Sequence, residues 1–202
     1  MEEKICFQCG NLKLEGILSI KDQSKGIVIT HPHPLYGGNM YNPVVRSIHE
    51  VFSKNDYSTL RFNFRGTGKS EGSHEKGQGE INDVVSAIEY LKEKSIEPVV
   101  LAGYSFGGWV NSKIDLNPFS IDNIIWISPP IGMNGYEEIL YHKKIKLIIT
   151  GDRDDIAPYL KIKEMVQSWN QDIIFEKIEG ADHIFMGKIK ELKAAIENNF
   201  DF

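Results

Sequence analysis

The chain has little cysteine: Cys6 and Cys9 are the only two among 202 residues. A disulfide-stapled scaffold is excluded, and a chain of this length can bury a core without staples. The pair has C-x-x-C spacing, but a zinc site needs a second pair of ligands, and a redox pair belongs at a strand–helix junction. Here both cysteines fall in an amino-terminal strand, where residues three apart face opposite sides, so they read as unpaired thiols in a reducing compartment. An excess of positive charge is also missing. Lys and Arg number 23 against 28 Asp and Glu, a net charge of −5, so the chain lacks the basic face that nucleic acid binding requires. Long apolar runs are absent too: Ile124-Ile125-Trp126-Ile127 is strand-sized and far short of a membrane span. Met1-Glu2-Glu3-Lys4 is acidic where a signal peptide is basic. A cytoplasmic domain over residues 1–202 is expected, a monomer or homodimer without nucleic acid or membrane partners.

What is present is a regular alternation of strand and helix signals. Ile5–Cys9 and Leu12–Ile20 read as strands joined at Gly10-Asn11, and Gly26–Thr30, Ser58–Phe62, Pro98–Gly103, Ile124–Ile127, Ile145–Thr150 and Ile173–Ile178 as further strands. Val44, Val45, Ile48, Val51 and Phe52 recur at helical spacing, as do Ile81, Val84, Val85, Ile88 and Leu91. Further helices are expected from near Gly107, around Leu160–Trp169 and to about Asn199. An antiparallel start followed by βα units predicts an α/β fold with a mostly parallel sheet and helices on both faces. Ligands of such sheets bind beyond the carboxyl ends of the strands.

Three of those strand ends carry chemistry. Gly103-Tyr104-Ser105-Phe106-Gly107 follows the buried run Val99–Ala102 and precedes a helix. A serine at the apex of so tight a turn is strained, and its flanks must lack side chains or strand and helix collide. The helix amino terminus behind it offers N–H groups to a developing oxyanion. A serine hydroxyl needs a base, and the base an orienting acid. His183, in Gly180-Ala181-Asp182-His183, follows the last strand, and Asp152, Asp154 and Asp155 crowd the turn after Ile145–Thr150. By contrast, Gly68-Lys69-Ser70 lacks the earlier glycine of a phosphate-binding loop, where Asn63 stands instead.

With these pieces in order the chain resembles the α/β-hydrolases. It is most similar to small lidless bacterial serine hydrolases of the dienelactone-hydrolase-like and serine-aminopeptidase-like kind. The matching segments are His31-Pro32-His33-Pro34-Leu35-Tyr36-Gly37-Gly38, Leu60 to Gly72, the serine elbow, the acid turn and Ala181-Asp182-His183. The resemblance implies an eight-stranded sheet, a catalytic triad of Ser105, His183 and an acid that falls on Asp154, and no cofactor or metal. Asp155 and Asp152 depart from the family's usual single acid and remain alternatives. It further implies an oxyanion hole made by the N–H of Phe106 and one from the loop after the third strand. Pro32 and Pro34 have no N–H, so His33, Leu35 or Tyr36 must supply it, and the family's donor falls on His33. His31-x-His33 also allows a metal pair, but no third ligand lies nearby, and His31 reads as a buried support of the loop.

The function expected from this combination is hydrolysis of a small ester or thioester through an acyl-enzyme, as a carboxylesterase or thioesterase. A peptidase or acyltransferase could use the same triad, and a non-catalytic binding scaffold is a further alternative. Only 16 residues, Pro129–Lys144, separate two strands where larger relatives insert a lid. Pro129-Pro130 resists helix, and Gly135–His142 has room for two helical turns at most. Met133, Tyr136, Ile139 and Leu140 could line one wall of an open pocket, with Tyr36 opposite.

Overall fold

The structure, a computed structural model, describes residues 1–136, 138–169 and 172–202. Strands β1 (Glu2–Cys9) and β2 (Leu12–Ser19) form the expected antiparallel hairpin. Cys6 points outward, whereas Cys9 is buried and its thiol donates to Asp83 Oδ1 at 3.3 Å. The rest of the chain reads β3 (Asp22–Thr30), α1 (Pro43–Lys54), β4 (Tyr57–Phe62), α2 (Gln78–Glu93), β5 (Val99–Tyr104), α3 (Phe106–Ser112), β6 (Ile121–Ile127), β7 (Ile145–Gly151), α4 (Tyr159–Trp169), β8 (Ile174–Ile178) and α5 (Ile189–Asn199). The eight strands form one sheet in the order β1-β2-β4-β3-β5-β6-β7-β8. Only the pairings of β2 with its two neighbours are antiparallel. β3 starts four residues before the predicted Gly26, because Asp22 already pairs with Tyr57 in the parallel ladder, ahead of a register shift before Gly26.

Alternation along the inner strands divides the core in two. Ile27, Ile29, Val100, Ala102, Ile125, Ile127, Leu147 and Ile149 face α1 and α5, which bury Val45, Ile48, Phe52, Leu192 and Ile196 against them. Val28, Leu60, Leu101, Ile124 and Ile148 face the other way and are covered by α2, α3 and α4 through residues such as Val84, Leu91, Val110 and Ile162. β5 lies at the centre and all six of its residues are buried. Strands covered on both faces need continuous apolar sequence, which Val99–Ala102 and Ile124–Ile127 supply.

His31, at the end of β3, is fully buried and joins two strand ends. Its Nε2 accepts from the Phe64 N–H at 3.0 Å, which requires the proton on Nδ1, and Nδ1 lies 2.6 Å from the Pro32 carbonyl. The ring thus anchors the His31–Gly38 loop beside the chain leaving β4. Burial disfavours the imidazolium and lowers the His31 pKa from 6.5 to about 4. Between those values the unfolded chain binds a proton that the native protein refuses, so stability rises with pH there. The contribution is complete above the unfolded value and is lost as pH falls toward 4, roughly 3 kcal/mol in all. Urea unfolding between pH 4 and 7 should therefore show a steeper loss of stability on acidification for the wild type than for His31→Gln, by up to one proton. Equal slopes would remove His31 as an acid-sensitive anchor.

Candidate active site

The four loops that follow β3, β5, β7 and β8 meet at one end of the sheet. Ser105 stands between β5 and α3 with φ +52° and ψ −120°, a backbone conformation that a non-glycine residue adopts only under strain. The flanking glycines are there because of close approach. A Cβ on Gly103 would lie 2.5 Å from Gly108 Cα, and one on Gly107 would lie 2.5 Å from Thr30 Oγ1. Strand, helix and the neighbouring strand end are in backbone contact, which drives the serine side chain out of the turn into the cleft.

There it meets His183. Nε2 of His183 lies 2.9 Å from Ser105 Oγ, and Nδ1 lies 2.9 Å from both carboxylate oxygens of Asp154. An acid on one side fixes the tautomer: Nδ1–H donates to Asp154 and Nε2 offers its lone pair to the Ser105 hydroxyl. Of the three carboxylates in the turn, only Asp154 is buried, at 4% exposure, and Asp152 and Asp155 face solvent. Asp152 instead accepts from the Gly180 N–H. The Asp154 carboxylate also accepts from the Ile156 and Ala157 N–H groups at 3.0 and 2.7 Å. Burial pushes its pKa up, but the His183 hydrogen bond and charge together with the Ala157 N–H outweigh burial and hold it below the ordinary carboxylate value. From below, the buried Tyr104 hydroxyl donates to the His183 carbonyl at 2.7 Å. Sequence reading missed this support, because Tyr104 occupies a variable position of the serine motif and nothing in the spacing marks its hydroxyl.

The His31–Gly38 loop forms the opposite lip. Its backbone donors can be accounted for one at a time. Pro32 and Pro34 have none, Leu35 N–H binds His33 Nδ1, Tyr36 and Gly38 N–H both bind the His33 carbonyl, and Gly37 N–H binds the Pro34 carbonyl. Among the described residues no acceptor faces the His33 N–H. The Phe106 N–H, in the first turn of α3, has no partner within the helix, and the rings of His33 and Phe106 lie 4.9 Å apart.

Between the two lips lies a cavity of about 390 Å³. Ser105 and His183 sit in it among the apolar walls of Pro32, Tyr36, Met133, Ile156 and Ile184. Tyr36 is 75% exposed and Ile184 55%, so the cavity opens to solvent. Tyr136 stands behind the wall, its hydroxyl 2.9 Å from His33 Nε2 and its ring edge-on to Trp109. Ile139 is buried in the core, and Leu140 is not among the lining residues. The connection from Pro129 to Lys144 has no helix among its described residues and lies back on α3. Trp109 Nε1 donates to the Glu138 carbonyl and His142 Nε2 meets the Ser112 carbonyl. His31 and His33 each have both ring nitrogens engaged by different partners, so they do not act as a pair. Among the described residues, no cluster of three or more His, Cys, Asp or Glu is arranged to hold a metal ion, and no helix is long and apolar enough to cross a membrane.

Fold and site together define an α/β-hydrolase without a lid. The chain belongs to the α/β-hydrolase superfamily, and residues 35–171 match the family described as serine aminopeptidase, S33. An uncharacterized protein of Rickettsia prowazekii, RP471, is 32% identical over 181 residues, covering 85% of this chain and 76% of that protein. An α/β serine hydrolase homologue from Coxiella burnetii superposes with a TM-score of 0.88 at 30% identity, covering 98% of this chain and 97% of the other. A putative α/β hydrolase from Agrobacterium tumefaciens, ATU1826, gives 0.85 at 31%, with coverage of 98% and 94%. XC6422 of Xanthomonas campestris, described as an α/β serine hydrolase without a lid, shares the fold with a TM-score of 0.89 at 24% identity over 98% and 93% of the two chains.

The geometry of the acid turn makes a prediction independent of any activity. Asp154→Ala leaves the Ile156 and Ala157 N–H groups without their acceptor and should cost about 1–3 kcal/mol of stability. Asp155→Ala, at an exposed position, should stay within about 0.5 kcal/mol of wild type. Urea denaturation of the two variants measures both, and equal costs would mean that Asp154 does not hold the turn.

Proposed function

We propose that this protein is a serine hydrolase of small, uncharged ester or thioester substrates, acting through an acyl-enzyme on Ser105. The observation that carries the reading is the unbroken row from Asp154 through His183 to Ser105, with every contact at 2.9 Å. His183 takes the Ser105 proton as Oγ attacks the substrate carbonyl, and Asp154 stabilises the imidazolium that results. The tetrahedral oxyanion accepts from the N–H groups of Phe106 and His33. His183 then protonates the departing alcohol or thiol, and water deacylates the serine by the same route in reverse. No step requires a cofactor.

The family description raises peptidase action as a second reading. A carboxylate is the usual partner of a protonated amino terminus, and the described residues lining this cavity include no Asp or Glu, while the side-chain oxygen of its Asn42 already accepts from the Val44 N–H. That favours a neutral acyl group over a peptide amino terminus. A non-catalytic scaffold would have no need to keep a buried acid, an oriented imidazole and a strained serine together.

Ser105→Ala should abolish turnover of a nitrophenyl ester and labelling by a fluorophosphonate probe, and Asp154→Asn should cut kcat by about 10³–10⁴ by upsetting the His183 tautomer. Asp155→Asn should leave kcat close to wild type. Activity retained in Ser105→Ala, or a larger loss at Asp155 than at Asp154, would overturn the assignment.

The open cavity also limits the acyl chain. Each enclosed methylene gains about 0.8 kcal/mol, or about fourfold in kcat/KM, and a methylene left in water gains little. Across nitrophenyl esters of increasing length, kcat/KM should rise for short chains and then level off, with no activation at a lipid–water interface. A continued rise to long chains would require a buried tunnel.

A further inference from the structure

His33 has a second part to play besides its backbone N–H. Its imidazole caps the single 3₁₀ turn Pro34–Tyr36: Nδ1 accepts the Leu35 N–H at 3.2 Å, a task usually given to Asp, Asn or Ser. An Nδ1 that accepts carries no proton, so the neutral ring is protonated on Nε2, which donates to the Tyr136 hydroxyl oxygen at 2.9 Å. The rings of Phe106 and Tyr36, each at 4.9 Å, and of His74 at 4.8 Å surround the imidazole. His33 is therefore held at both nitrogens, by its own loop on one side and on the other by the connection between β6 and β7. Tyr136 in turn is wedged edge-on against Trp109 and Phe106, with ring centroids 5.0 and 6.0 Å away. The Phe106 in that wedge supplies the other N–H assigned to the oxyanion.

We propose that Tyr136, acting through the His33 imidazole, positions the His33 N–H in the oxyanion hole, and that this brace requires neutral His33. The inference rests on the hydrolase reading above. The chemistry of the brace sets its pH dependence. An imidazolium has no lone pair at Nδ1, so protonation turns the Leu35 N–H···Nδ1 contact into a donor facing a donor and releases the loop. Burial lowers the His33 pKa, the nearby His74 lowers it further, and the buried Glu80 carboxylate works in the opposite direction. The titratable groups around the ring are thus His31, His74, Glu80, Tyr36 and Tyr136. The imidazole stays neutral near pH 7 and is protonated on acidification.

Tyr136→Phe deletes the hydroxyl and keeps the ring wedge, so its effect separates positioning from packing. With a short-chain nitrophenyl ester we expect kcat to fall about tenfold and KM to stay within about twofold, short of the 10²–10³ that removing an oxyanion donor costs. A trifluoromethyl ketone, whose unhydrated carbonyl is attacked by Ser105 Oγ to give a tetrahedral oxyanion while the serine proton passes to His183, should bind more weakly by the same factor as kcat falls. His33→Asn keeps an acceptor for the Leu35 N–H but has nothing to titrate. At pH values above about 4, where His31 is still neutral, its kcat/KM should fall with one proton on acidification, where the wild type falls with two. Unchanged kcat and ketone affinity in Tyr136→Phe would overturn the proposal, as would the same acid slope in His33→Asn and wild type. Ser105→Ala, measured alongside, separates the two readings. Turnover retained there overturns the hydrolase reading and this proposal with it. Turnover lost there but unchanged in Tyr136→Phe overturns the brace alone.

Discussion

The backbone contact at the end of β5 is the constraint on which the site depends. Gly103 and Gly108 close on one another across Ser105, and Gly107 presses α3 onto the end of β3. Any side chain at Gly103 or Gly107 would push α3 away, and the serine would leave its strained position together with the helix N–H groups behind it. Strain of this kind costs about 1–3 kcal/mol and persists only where the surroundings over-determine it. Here they do. β5 is fully buried between β3 and β6, and the Ser105 N–H is itself tied to the Ile127 carbonyl at 2.8 Å. The same contact brings Phe106 beside His33, so one packing event places Ser105 and both candidate oxyanion donors.

A second constraint lies under the long loop from Asn63 to Gly77, which has no regular structure of its own. Arg65 is buried and bound by Asp83, whose exposure is 0%, and by Glu75 at 2.7 Å. Asp83 also accepts from the Arg65 N–H and from the Cys9 thiol, which links the loop to the first strand. Glu80, equally buried, accepts from the Glu75 and Gly77 N–H groups, and His74 Nδ1 lies 2.7 Å away. Buried charges like these add little net stability over an apolar core, but removing one partner strands the other at a cost of about 3–5 kcal/mol. Their effect is to give a glycine-rich loop one conformation. That conformation delivers His74 against His33, so the web reaches the edge of the candidate active site.

Much of this architecture was legible in the sequence, and the part that was not has a common cause. Apolar periodicity marked the strands and helices to within a few residues, since burial on one or two faces leaves a direct trace in residue type. Ser105, His183 and an acid after β7 were legible because each sits where a strand ends. The choice of Asp154 over Asp152 and Asp155 rested on resemblance, because three carboxylates in one turn have the same chemistry until burial distinguishes them. Tyr136 was expected on the pocket wall from its apolar ring, and its hydroxyl took it to His33 instead. Arg65, Asp83 and Glu80 carry no mark in the sequence that sets them apart from surface charges. Partners 18 residues apart, as Arg65 and Asp83 are, leave no periodic signal. Polar partners chosen in three dimensions are what a one-dimensional pattern conceals.

The connection between β6 and β7 shows how these constraints combine. In a larger relative this is where helices rise over the nucleophile. Here Gly132 N–H binds the Ile156 carbonyl, Ile139 enters the core, and the Trp109 indole and Ser112 carbonyl hold the chain down on α3. Lying flat leaves the cavity open above Ser105, with Tyr36 and Ile184 exposed at its rim. It also brings Tyr136 to the level of the His31–Gly38 loop, where a segment raised as a cover could not reach. A short connection therefore gives up enclosure of a long substrate and gains a fixed contact with the lip of the site. In an uncovered site water competes for every hydrogen bond, so the advantage lies with donors held in place before the substrate arrives.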